Sequence, residues 1–92
     1  MDVYAQIVEK IIKAQEAIIG PVAVEQAKRV TQLTIDWDKH EISIAGDESD
    51  AIDSLVAVYQ ELFGQISREV SKEAAAPLIS KVPADDMPEA LK

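Results

Sequence analysis

Apolar residues recur at three- and four-residue steps from Val3 to Ile19. Tyr4, Ile7, Val8, Ile11, Ile12, Ala14, Ile18 and Ile19 fall on one side, and Gln6, Glu9, Lys10, Lys13 and Glu16 on the other. That spacing predicts an amphipathic helix. Gly20-Pro21 ends it, because Gly suits a left-handed residue just past a helix and Pro suits the first turn of the next, where an N–H would go unpaired anyway. A second helix is predicted from Pro21 to about Thr31, with Val24, Ala27 and Val30 on one side and Glu25, Lys28 and Arg29 on the other.

At Leu33 the period changes. Leu33-Thr34-Ile35-Asp36-Trp37 and Glu41-Ile42-Ser43-Ile44-Ala45 place apolar side chains on every second position, as a strand with one buried face does. Asp38-Lys39-His40 is polar enough for a short turn, so the two segments are predicted to pair as a β-hairpin. Leu33, Ile35, Trp37, Ile42 and Ile44 form its apolar face; Thr34, Asp36, Glu41 and Ser43 form the polar one. An isolated two-stranded ribbon is marginal in water, so the apolar face is expected to lie on helices.

After Gly46 the helical spacing returns. Asp47, Ser49 or Asp50 is placed to cap a helix running to about Phe63, with Ile52, Leu55, Val56, Tyr59, Leu62 and Phe63 inward. Gly64 separates it from a fourth helix beginning near Gln65, whose inner stripe reads Ile66, Val70, Ala74 and Leu78. Pro77 falls within that stripe and predicts a kink or break, since it forfeits a hydrogen bond and crowds the preceding turn. The plan is an α+β fold in which two αα-hairpins flank a central antiparallel β-hairpin, in the order α-α-β-β-α-α. Residues 1–82 are expected to form one domain, and residues 83–92 a loosely held acidic tail with at most one turn ending at Leu91.

With 92 residues, the chain has room for one core. Hydrophobic residues make up 48% of it, which argues against disorder over most of the length. Aromatics are few, namely Tyr4, Trp37, Tyr59 and Phe63, so the core is aliphatic and small, and burying one more face against a second copy would add materially to stability. Net charge is −8, and because residues 1–31 hold four acids and four bases, the excess belongs to the hairpin and the helices after it. Nucleic acid and acidic membrane surfaces are therefore excluded as expected partners. No cysteine is present, which rules out disulfides and thiolate chemistry. No apolar run approaches the ~20 residues of a membrane span, and a cytoplasmic location is the expectation.

Candidate chemistry is sparse. Asp36, Asp38 and His40 are spaced by two, so in an extended strand all three would project from one face and offer carboxylate and imidazole ligands to a divalent ion. Asp36, Asp38 and Asp47 also match the first, third and twelfth positions of a calcium loop. Glu41, however, stands where that loop requires Gly, and Asp47 replaces the bidentate Glu. A solvated strand face reads the same way, and no metal or cofactor is expected. His40 is the only histidine, no serine sits in a nucleophile elbow, and Gly20, Gly46 and Gly64 are too far apart for a phosphate loop, so no catalytic residue is assigned. Trp37 stands beside a turn, where it could anchor a partner, but its position in phase with Leu33 and Ile35 favours the core.

Ile18-Ile19-Gly20-Pro21-Val22-Ala23, with its flanking helices over Tyr4 to Val30, resembles a small helical module with an Ile-Gly-Pro-x-Ala turn found in bacterial signalling proteins, including serine/threonine kinases. The resemblance covers about a third of the chain; it implies a regulatory or interactive role and carries over no functional residue. These patterns support two expectations of function. The first is a non-enzymatic protein–protein interaction or regulatory module that self-associates as a homodimer, through hairpin edges or helix faces. The second is a binder of a small apolar or amphipathic ligand between helices and hairpin. Trp37, Ile42, Ile44, Tyr59 and Phe63 are the residues assigned to such an interface or ligand site.

Overall fold

The computed structural model describes residues 2–92. Among them are four helices, α1 (Val3–Ile19), α2 (Val22–Ala27), α3 (Glu48–Phe63) and α4 (Gln65–Ile79). An antiparallel hairpin of β1 (Leu33–Asp36) and β2 (Glu41–Ile44) is inserted between α2 and α3, and short 3-10 turns at Ala84–Asp86 and Glu89–Leu91 close the chain. The fold is α+β, with helices on both sides of a β-hairpin in chain order. No helix among the described residues is long and apolar enough to cross a membrane.

Local chemistry sets the ends of the long helices. The Asp2 carboxylate accepts the Ala5 N–H at 2.8 Å, and Asp47 accepts the Asp50 N–H at 3.0 Å, each satisfying a free donor of a first turn. Gly20 and Gly64 close α1 and α3 by donating to the Glu16 and Gln60 carbonyls at 2.9 and 2.8 Å. Their φ values of +77° and +82°, with extended ψ, belong to a region open essentially to glycine alone.

Most other elements touch α1, and α4 packs on it most extensively. Ile7, Val8, Ile11 and Ile12 of α1 are wholly buried against Ile52, Leu55, Val56 and Tyr59 of α3, Ala23 and Ala27 of α2, and Leu33 and Ile42 of the hairpin. Strand register runs Leu33↔Ile44, Thr34↔Ser43, Ile35↔Ile42 and Asp36↔Glu41.

Several details depart from the sequence expectation. Helix α2 stops at Ala27 because the Arg29 and Val30 N–H groups bond back only three residues, to Gln26 and Ala27 carbonyls, which tightens the chain and turns Val30 into the core. Both strands end one residue early, and the turn is the four-residue loop Trp37-Asp38-Lys39-His40, with His40 left-handed at φ 54°. In α4 the inner stripe is Ser67, Ser71, Ala75 and Leu78; of the expected row, Leu78 is buried, Val70 and Ala74 are half-buried and Ile66 is exposed. Small side chains let α1 approach closely, and the buried Gln15 amide of α1 fills the gap, donating to the Ser67 carbonyl at 2.9 Å and to Ser71 Oγ at 3.2 Å. Pro77 does not break α4, which continues to Ile79; the proline is exposed and lies less than one turn from the end.

Residues 83–92, expected to be loosely held, lie against α3 and α4. Pro88 and Leu91 are buried, the Ala90 N–H donates to Asp53 Oδ1 at 2.8 Å, and the Ser49 hydroxyl donates to the Asp86 carbonyl. Pro83 and Pro88 restrict the unfolded chain, which lowers the entropic cost of holding this segment in place.

Candidate functional site

The metal hypothesis fails on backbone geometry. Residues at alternate positions share a face only while the chain stays extended, and here it reverses direction after Asp36. Asp36 Oδ1 instead accepts the Lys39 N–H at 3.3 Å within the loop. His40 turns toward α1, its Nδ1 standing 3.4 Å from Glu9 Oε2 and its ring centroid 5.8 Å from that of Trp37. Among the described residues no three acidic or histidine side chains come together to hold a metal ion.

The five residues assigned to an interface or ligand site are dispersed. Ile42 is buried, Ile44 is half-buried against the core, and Tyr59 is wholly buried with its hydroxyl donating to the Ala23 carbonyl at 2.6 Å. Burial pushes the Tyr59 phenol well above its ordinary pKa, with the charge of Glu16 adding to the shift, so it is a neutral donor. Tyr59 is thus a core residue rather than a ligand contact. Trp37 and Phe63 keep exposed surface in different places: Trp37 lines a cleft beside the hairpin, and Phe63 stands at the end of α3.

That cleft has a volume of about 600 Å³. One wall is the α2 face formed by Pro21, Val24, Glu25 and Lys28, at helical spacing; the other is the consecutive run Thr34 to Asp38. Its lining combines the apolar Pro21, Val24, Ile35 and Trp37 with four carboxylates, those of Glu16, Glu25, Asp36 and Asp38, against the single ammonium of Lys28. A second acidic group surrounds Tyr4 at the start of α3. Loss of solvation raises the Glu48 carboxyl above its ordinary range, helped by a hydrogen bond with Asp2 and by the charges of Asp2, Asp47 and Asp86.

A second face is not evident from the apolar spacing. Large hydrophobic side chains left in solvent are Ile18 (64% exposed), Val22 (37%), Leu62 (44%), Phe63 (37%) and Ile66 (74%). All five lie within two residues of Gly20 or Gly64, although the helical period predicts Ile18, Leu62, Phe63 and Ile66 inward. The Gln15 bond to Ser67 brings the end of α1 to the start of α4, and the Tyr59 bond to Ala23 brings the last turns of α3 to α2. The two helix corners therefore lie at the same end of the molecule. One signal in the sequence points here: Ser67, Ser71 and Ala75 at four-residue spacing mark a close helix contact, and that phase turns Ile66 outward.

Comparison with protein-family models, with curated proteins and with solved structures returned no match.

Proposed function

We propose that this chain works by association and not by catalysis, forming a homodimer through the apolar end where its two helix corners meet. One observation carries the reading. The large hydrophobic residues left in water sit at two corners that buried hydrogen bonds hold side by side, whereas scattered exposed leucines or isoleucines would need no explanation. A two-fold axis pairs such a face with itself, so both copies bury the same residues in one step. Their exposed portions amount to about two and a half complete side chains, or about 5 kcal/mol per copy at about 2 kcal/mol each. About 10 kcal/mol for the pair is of the same order as the cost of association, which implies a weak, concentration-dependent dimer. The resemblance of residues 4–30 to a helical signalling module supports a regulatory use of that contact.

Sedimentation velocity from low micromolar to near-millimolar protein tests the proposal. The mass is expected to rise toward twice the monomer, and Ile66→Asp, at a site too exposed to affect folding, is expected to stay monomeric with an unchanged melting temperature. A wild-type chain that remains monomeric throughout refutes it.

A further inference from the structure

We infer that the cleft between β1 and α2 is a docking groove for an extended peptide segment that alternates Lys or Arg with apolar residues, bound by adding a strand to the β1 edge. The inference rests on different residues from the proposed dimer face.

The Ala45 N–H donates to the Gln32 carbonyl at 2.8 Å, and these two residues are direct partners in the register that pairs Leu33 with Ile44. In an antiparallel ladder bonded and non-bonded pairs alternate, so Thr34/Ser43 and Asp36/Glu41 are bonded pairs, while Leu33 and Ile35 direct their backbone groups away from β2. The Leu33 N–H is taken by the Val30 carbonyl at 3.0 Å. The Ile35 N–H and C=O have no partner among the described residues, and Ile35 lines the cleft. The sheet has only two strands, and β2 is the one set against α1.

Shape agrees with phase. A cavity over one face of a strand would meet alternate residues, but this one meets Thr34, Ile35, Asp36 and Trp37 in succession, and so opens on the strand edge. The cleft is open to solvent along its length, with a volume of about 600 Å³. Helix α2 stands opposite, which leaves a slot between a strand edge and a helix, the arrangement in which an extended peptide completes the sheet and places alternate side chains in pockets.

Charge then selects the occupant. Four carboxylates to one ammonium among the lining residues favour a guanidinium or ammonium on the guest, and the half-buried Trp37 lines the same cleft. A second copy is the wrong guest. Its own β1 edge carries Asp36 and Asp38, and two chains of net charge −8 would bring those carboxylates together inside one slot.

Trp37 is the only tryptophan, so its emission reports on the groove directly. The intact chain is titrated with a short blocked peptide alternating lysine and valine, at low salt and again at high salt. A saturating shift in Trp37 emission is expected, weakened by salt and weakened about tenfold or more by Glu25→Gln with Asp38→Asn, two exposed sites whose change leaves the fold intact. The same peptide N-methylated at every amide keeps its charge but has no N–H to give the Ile35 carbonyl on either edge, and is expected to bind at least about tenfold more weakly. Equal binding of the N-methylated peptide, equal binding of a glutamate-for-lysine peptide, or full reproduction of the shift by blocked lysine alone each overturns the inference. So does a Trp37 shift that tracks protein concentration without any peptide.

Discussion

Replacing Tyr59 by Phe removes one oxygen and leaves ring and volume in place, so it isolates the bond that ties α3 to α2. The phenol donates to the Ala23 carbonyl at 2.6 Å and is wholly buried. An intramolecular hydrogen bond contributes about 0.5–1.5 kcal/mol net, and a buried acceptor left without its partner costs about 1–3 kcal/mol. In a regular helix the Ala23 carbonyl also receives the Ala27 N–H, so the acceptor is not stripped bare and the lower half of that range applies. We expect a loss of about 1–2 kcal/mol, which for a domain of this size lowers the melting temperature by about 5–12 °C. Urea denaturation followed by far-UV circular dichroism measures it, with an unchanged m-value because the surface exposed on unfolding is the same. Tyr4→Phe is the internal control: Tyr4 is half-buried and its hydroxyl bonds to nothing among the described residues, so stability should stay within about 0.5 kcal/mol. Equal stability of Tyr59→Phe and wild type would refute the placement of α2 on α3 and, with it, the α2 wall of the cleft.

Pro77→Ala restores the N–H that α4 lacks opposite the Glu73 carbonyl, at an exposed site. After the loss of proline's restriction of the unfolded chain, calorimetry should show a gain of about 1–2 kcal/mol, and a loss would show that the ring is compensated elsewhere. Deleting residues 83–92 exposes the surfaces that Pro88 and Leu91 cover and frees Asp53; the urea midpoint should report a cost of about 3–5 kcal/mol, whereas a negligible change would mean that the segment is not held. For Glu48 the folded-state pKa is raised, so its favourable contribution is present below the ordinary carboxylate range and disappears as pH rises through the raised value. The stability difference between Glu48→Gln and wild type should accordingly move in the variant's favour from acid to neutral pH in parallel thermal melts, by a small amount because the site is near water; a difference independent of pH would contradict the proximity of Asp2, Asp47 and Asp86.

The order and kind of the main elements could be read from the chain because they depend on near-neighbour physics. A three-and-four-residue apolar period, two glycines at helix corners, and two short alternating runs leave little choice over residues 3–19, 33–44 and 48–63. The candidate sites were far less legible. Asp36, Asp38 and His40 share a face only if the strand continues, and whether it does is set by a four-residue loop that lacks a strong turn signature. Periodicity also shows that a helix has an apolar side without showing how many of those residues the neighbouring elements can cover.

Sequence alone therefore determined an acidic α+β chain with helices on either side of a β-hairpin, because each segment's hydrophobic period and its capping residues act within a few positions. Only the tertiary structure decided which side chains remain in water. Close packing of α1 on the small residues Ser67, Ser71 and Ala75 rotates α4 and turns Ile66 outward, and the approach of α3 to α2 places Tyr59 inside while leaving Leu62 and Phe63 exposed. It also decided that the β1 edge faces α2 across an acidic slot. Both outcomes depend on contacts between residues tens of positions apart, where the fit of one surface to another outweighs any local preference.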